Sequence, residues 1–368
     1  MPDAIWIDRD DELPALASTL ESQAWIGVDT EFLRERTFFP KLCLLQLAAG
    51  GQIWCVDTLR VGSLDPLMPA LTAALARKVI HAARQDLEAV YLASARVMTP
   101  VFDTQIAAGC IGLKPQIGYA ELVKTLLDVT IPKGQTRTDW SKRPLTRAQM
   151  EYAADDVLYL GDIADRLSLR LHELEREQWV LEDCLELQDK RLYEPDPAQA
   201  WVRLRGLAQL APPTRARAKT IANWREKLAR IRDLPRAWIL SDAAILSIAQ
   251  ANPATLAAQG ALQPLNDSLA ASLLDALEGA ANDEWDQEPS QDARPTPEQK
   301  AVIERLGKIV DTRAAELEIS AEVLAPRGEL KALALGTRGT GTGELRESYA
   351  LTGWRREEIG TRLLEALG

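Results

Sequence analysis

Along the first half of the chain, short apolar runs alternate with longer stretches of helical period. Trp25 to Val28, Leu42 to Ala48, Gln52 to Asp57 and Lys78 to His81 are brief and rich in Ile, Val, Leu and Trp, and each predicts a strand, as does Ile5-Trp6-Ile7. Gly50-Gly51 predicts a hairpin turn between two of them. Helices are expected from Asp10 to about Ser22, over 64–76, from Leu87, over about 104–112 and from Gly118 to Asp128. Met150, Ala154, Val157, Ala164, Leu167, Leu171 and Leu174 recur at helical spacing, and Thr146 with Gln149 forms a capping-box pair ahead of them. Three strands in hairpin succession, followed by strands alternating with helices, predict an α/β domain on a mixed sheet.

Past Glu194-Pro195-Asp196-Pro197 the pattern becomes wholly helical, which sets a first boundary and a domain over 1–194. A helical domain over 195–281 follows, then an acidic linker over 282–294 expected to be mobile, then a second helical segment over 295–368. The glycine run from Gly336 to Gly343 lacks the Gly-Lys-Ser/Thr ending of a phosphate loop, and no strand precedes it; a flexible loop is expected.

A length of 368 residues agrees with two or three domains, and 46% hydrophobic with 26% charged residues is globular composition. No run is long and apolar enough to cross a membrane and no basic-then-apolar leader opens the chain, so a cytoplasmic protein is expected. Cys43, Cys55, Cys110 and Cys184 form no C-x-x-C pair and read as reduced thiols; with two histidines, a zinc site is not expected. The net charge of −11 argues against a nucleic-acid partner until its distribution is considered. Between Arg203 and Arg236 ten basic residues, among them Arg203, Arg205, Arg215, Arg217 and Lys219, face only Glu226 and Asp233, with Trp201, Trp224 and Trp238 interspersed. This segment reads as a nucleic-acid face or as a helical bundle with an Arg-rich surface. The loop from Lys133 to Pro144, carrying Arg137, Lys142 and Arg143 around Trp140, offers the same choice between phosphate contact and ordinary solvation.

Acids carry the candidate chemistry. Asp29 and Glu31 are two apart at the end of a predicted strand, so their side chains share a face. Paired carboxylates repel unless a cation or a shared proton lies between them. A divalent metal answers that requirement, and so does a strand end whose acids are solvated. Asp86 and Asp103 each head a helix after a strand, and local pattern does not choose between them. Tyr152 and Asp156 share a helix face four residues apart, while Asp155 is also within reach of Tyr152. Hard divalent ions take carboxylate oxygens, and a pair of them can stabilise both oxygens of a phosphodiester displacement.

In this order and spacing, Asp29 with Glu31, then Asp86, then Tyr152 with Asp156 resemble the three motifs of the DEDD exonuclease superfamily, the tyrosine marking its DEDDy branch. His81 to Glu88, Asp139 to Leu145 and Tyr152 to Val157 closely resemble the ribonuclease D family. Residues about 197–281 resemble an HRDC domain, and about 295–368, ending in Gly353 to Gly360, resemble a more divergent copy. The resemblance implies an RNase H-like sheet flanked by helices, followed by two all-α HRDC-type domains. It further implies 3′→5′ exoribonuclease activity on RNA such as tRNA precursors, by a monomer with two ions per site, Mg²⁺ or Mn²⁺. It selects Asp29, Glu31, Asp86 and Asp156 as metal ligands, leaving Asp103 as a helix cap and His81 as a structural residue. Tyr152 would orient the attacking water, and Glu31 would also contact the 3′-terminal hydroxyl. A DNA-directed exonuclease of the same branch and a non-catalytic RNA-binding protein of the same fold are the alternatives.

Overall fold

The computed structural model describes residues 4–132, 138–207, 210–251, 262, 265–279, 295–336 and 348–367. Six strands form one sheet: β1 (Ile5–Ile7), β2 (Trp25–Leu33), β3 (Lys41–Ala49), β4 (Gln52–Val56), β5 (Arg77–Ile80) and β6 (Val101–Asp103), in the order β1-β4-β3-β2-β5-β6. β2, β3 and β4 are antiparallel neighbours, and Gly50 and Gly51 both take positive φ in the hairpin turn between β3 and β4. β1 pairs with β4 in parallel, as β5 does with β2 and β6, which makes the sheet mixed as the pattern predicts. The acidic linker and the glycine run after Gly336 lie outside the described residues. Among those described, no helix is long and apolar enough to cross a membrane.

One sheet face packs on α1 (Leu13–Glu21), α2 (Met68–Thr72) and α3 (Arg84–Ser94), with Val28, Leu45, Leu47 and Ile80 in the shared core. The other is covered by α4 (Thr104–Cys110), α5 (Tyr119–Leu127), α6 (Arg147–Leu158), α7 (Leu160–Glu173) and α8 (Glu177–Leu187). The helix expected over 64–76 contracts to five residues, and the one expected from Asp10 starts as a single 3₁₀ turn before α1. The long helix read from Met150 to Leu174 is two helices. At Tyr159 the backbone N–H donates to the Tyr119 hydroxyl at 3.1 Å, and a second helix starts at Leu160. The partner at the break lies forty positions away, so local periodicity does not reveal it.

A separate helical core follows in α9 (Pro212–Arg232), α10 (Arg236–Ile239), α11 (Asp242–Gln250) and α12 (Asp267–Gly279). Phe38, from the loop after β2, is buried in that core; Arg236 lies 4.4 Å from its ring centroid, and the Asp233 carboxylate accepts the N–H groups of Phe38 and Phe39 at 3.0 Å each. The helical unit is thereby keyed to the strand that carries Asp29 and Glu31.

The last segment forms α13 (Pro297–Glu316), α14 (Ala321–Leu324), α15 (Arg327–Leu335), α16 (Gly353–Arg355) and α17 (Thr361–Leu367). Its Leu306, Val310, Leu324, Trp354 and Leu363 share one continuous core with Leu160, Leu167 and Trp179 of the first domain. Arg176 ties the two together by donating to the carbonyls of Cys110, at 2.8 Å, and Leu317, at 2.7 Å. Gly112 sits at this seam with φ of +91°, and a Cβ there would lie 2.3 Å from the Glu318 carbonyl oxygen. Gly112→Ala combines a left-handed backbone with a clash against main chain, so it should cost about 2–4 kcal/mol. Thermal unfolding checks this, and a midpoint within a degree of the parent's would refute it.

Candidate active site

β2 carries Asp29 and Glu31 on the face covered by α6, and a register shift directly after Glu31 bends the strand where its carboxylate emerges. The Thr146–Gln149 capping box fixes the start of α6, with Gln149 N–H donating to Thr146 Oγ1 at 3.2 Å and Thr146 N–H to Gln149 Oε1 at 2.9 Å. From that start Tyr152 and Asp156 fall one turn apart facing β2, and their side chains interact. Carboxylate oxygens of Asp29, Glu31 and Asp156 lie within 4.8 Å of one another. Asp155 is absent from this group; its carbonyl accepts from the Tyr119 hydroxyl at 3.1 Å instead.

Asp86 enters from the opposite layer. It lies in the first turn of α3 and is buried, and its Oδ1 accepts a 2.5 Å hydrogen bond from the Thr30 hydroxyl. Thr30, between the two acids of β2, points by strand alternation to the α3 side. One three-residue stretch therefore places two acids on one face and orients a third acid across the other. Strand alternation sets the face of Thr30, but its partner lies 56 residues on, so no local pattern marks it.

Burial pushes Asp29 well above the usual carboxylate range, and the charges of Asp86, Asp156 and Glu31 push it further. Glu31 rises to about 8, from burial and then the charges of Asp156 and Asp86. Asp86 and Asp156 rise to about 7, mainly by burial, each restrained by the hydroxyl that bonds it. So many converging carboxylates cannot all ionise unless positive charge joins them. An all-oxygen donor set of this kind fits a hard divalent cation such as Mg²⁺ or Mn²⁺.

The remaining expected residues separate. Asp103 caps α4, accepting from Gln105 and Ile106, and also holds the turn ahead of α3 by accepting from Ala82 and Ala83. His81 contacts Thr104 Oγ1 at 2.9 Å and the Ile117 carbonyl at 3.0 Å and is not in the group formed by Asp29, Glu31 and Asp156.

Residues 4–172 match the 3′-5′ exonuclease family, and residues 204–263 match the HRDC domain. Ribonuclease D of Pseudomonas paraeruginosa is 33% identical over 371 residues, spanning 100% of this chain and 98% of the relative. The chain belongs to the ribonuclease D family. The Xanthomonas oryzae ribonuclease D is 38% identical over 89% of this chain and 91% of its own length. The crystal structure of Escherichia coli RNase D, described as an exoribonuclease involved in structured RNA processing, superposes with a TM-score of 0.88 at 28% identity, over 99% of this chain and 98% of that one. This ribonuclease D family member is a 3′-5′ exoribonuclease, which removes the non-catalytic alternative.

Within this chain the basic residues divide sharply. Arg143, expected on RNA, is used by the protein itself. Its guanidinium forks onto Asp57 at 2.6 and 2.7 Å and donates to the carbonyls of Cys43, Trp140 and Lys142, which occupies all five N–H groups. The clamp pins the loop so that the buried Trp140 indole backs Tyr152, with ring centroids 6.1 Å apart. Lys142 on the same loop is 80% exposed, and Arg137 lies outside the described residues. In the helical domain Arg225 binds Asp242 and the Leu240 carbonyl, and Arg236 binds the buried Glu226. Arg217 donates to the Ala249 carbonyl, Arg215 to that of Leu210, and Lys219 lies over Trp201; Arg203 and Arg205 are exposed. Part of the basic run is thus internal mortar, because a long guanidinium can reach carbonyls and acids that sequence proximity does not reveal.

Proposed function

We propose that this exoribonuclease removes nucleoside 5′-monophosphates one at a time from the 3′ ends of structured RNA, tRNA precursors among them, acting as a cytoplasmic monomer. The observation that carries the reading is the convergence of Asp29, Glu31 and Asp156 within 4.8 Å, beside Tyr152 and across from Asp86. Asp29, Glu31 and Asp156 would hold one divalent ion, and Asp29 with Asp86 a second. When bound, such ions supply charge neutralisation at the scissile phosphate and lower the pKa of water. Tyr152 orients the attacking water through its hydroxyl. Burial and the surrounding acids raise its pKa, which removes it as a free base and keeps it a hydrogen-bonding group. Glu31, at the bend of β2, contacts the terminal 3′-hydroxyl and so favours attack from an end. The exposed Lys142, Arg203 and Arg205 contribute to the electrostatic grip on phosphates.

Digestion of a tRNA precursor with a 3′ trailer, resolved nucleotide by nucleotide in Mg²⁺ or Mn²⁺, tests the substrate. Stepwise loss of mononucleotides from the 3′ end is expected. Equal rates on a matched DNA strand would return the reading to a DNA-directed enzyme. Tyr152→Phe should lower kcat by about a hundredfold with RNA affinity nearly intact. Equal losses in kcat and in binding would reassign Tyr152 to the RNA surface.

A further inference from the structure

Gln46, on β3, is fully buried, and among the described residues neither its Nε2 nor its Oε1 has a hydrogen-bond partner. An unsatisfied buried amide costs about 1–3 kcal/mol, which an apolar side chain of the same volume would avoid. The strand makes the apolar choice on either side, where Leu45 and Leu47 are fully buried. The ladder shows what the amide lies beside. Gln46 is directly opposite Asp29 on β2, and on its other side directly opposite Cys55 on β4. Directly paired residues share a sheet face, with Cβ atoms about 4.5–5.5 Å apart. That face is roofed by α6, whose Ala153 packs with Leu44 and Cys55.

We propose that Gln46 is a positioning residue, whose side-chain amide donates to the Asp29 carboxylate when that carboxylate holds a divalent ion. The chemistry suits an amide. A lysine or arginine here would place a positive charge against the cation, and a serine would be too short to cross between the strands. A neutral N–H donor fixes the carboxylate's rotation without competing for the site, as outer partners of metal ligands commonly do. The buried amide is retained at a stability cost because the loaded site needs its donor. This inference rests on the reading of Asp29 as a metal ligand, and the test separates the two.

Gln46→Met and Gln46→Leu keep the volume and delete the amide. In chelator their thermal midpoints should equal or exceed the parent's, since an orphan polar group has been removed. Calorimetric titration with Mn²⁺ should show affinity weakened by about tenfold or more, with kcat reduced by a similar factor and KM for RNA unchanged. Metal affinity and kcat within twofold of the parent would overturn the proposal. Unfolding of both variants would also overturn it, by making the amide a requirement of the fold. Asp29→Asn is titrated alongside. If it loses metal binding while the Gln46 variants do not, Asp29 keeps its role and Gln46 loses its own; if Asp29→Asn binds Mn²⁺ as the parent does, the reading of the metal site itself fails.

Discussion

Asp29→Asn is expected to slow mononucleotide release by about a thousandfold or more while making the metal-free protein more stable. The kinetic loss follows from removing a carboxylate proposed to serve both ions; several kcal/mol of charge stabilisation, at 1.36 kcal/mol per tenfold, gives that factor. The gain in stability follows from the same geometry. Asp29 sits well above its ordinary 3.8 because of burial and three neighbouring acids, so keeping it ionised at neutral pH works against the fold. An acid whose folded pKa is raised binds more protons folded than unfolded between the two values. With Glu31 at about 8 and Asp86 and Asp156 at about 7, the metal-free parent should lose stability as pH climbs from about 4 to about 8. Asp29→Asn should flatten that slope. Divalent cation should raise the parent's thermal midpoint, and raise the variant's less. Thermal melts in chelator and in Mn²⁺ across pH measure each point; an unchanged pH slope in the variant would mean that the acids do not repel as their packing implies.

The second large effect is expected at the seam between the first domain and the last helices. Arg355 is 3% exposed and forks onto Asp183 at 2.5 and 2.7 Å, with Nε donating to the Val323 carbonyl at 2.9 Å. Trp354 donates to the same carboxylate at 3.1 Å and stacks on Trp179, centroids 4.1 Å apart and planes 7° apart. Asp183→Ala strands a buried guanidinium and should destabilise the protein by about 3–5 kcal/mol. Pairing it with Arg355→Met should recover much of that loss, because the desolvation cost disappears with the charge. Urea denaturation reads both. A loss below about 1 kcal/mol for Asp183→Ala would show that the seam opens to water and that the segments are less fused than their common core indicates.

Strand parity was enough to set Asp29 and Glu31 on one face, and the capping pair Thr146–Gln149 was enough to start α6 so that Tyr152 and Asp156 share a side. Those are local rules, governed by backbone periods of two and 3.6 residues. The ordering of the acids and their resemblance to known motifs supplied the chemistry and the family. Local rules stop where a partner is distant. They could not show that Thr30 reaches Asp86, that Arg143 is consumed by Asp57, that Tyr119 bonds the backbone where the long helix divides at Tyr159, or that the last helices share the first domain's core.

What the sequence determined by itself, then, was the element types, the mixed sheet, the acids and the family. Tertiary structure alone decided the register that sets Gln46 beside Asp29, the arrival of Asp86 from the opposite layer, and which arginines remain on the surface. The reason is physical. Periodicity is written in neighbouring residues, whereas register, burial and the satisfaction of polar groups depend on which strands and helices meet, and that is settled by the packing of the whole chain.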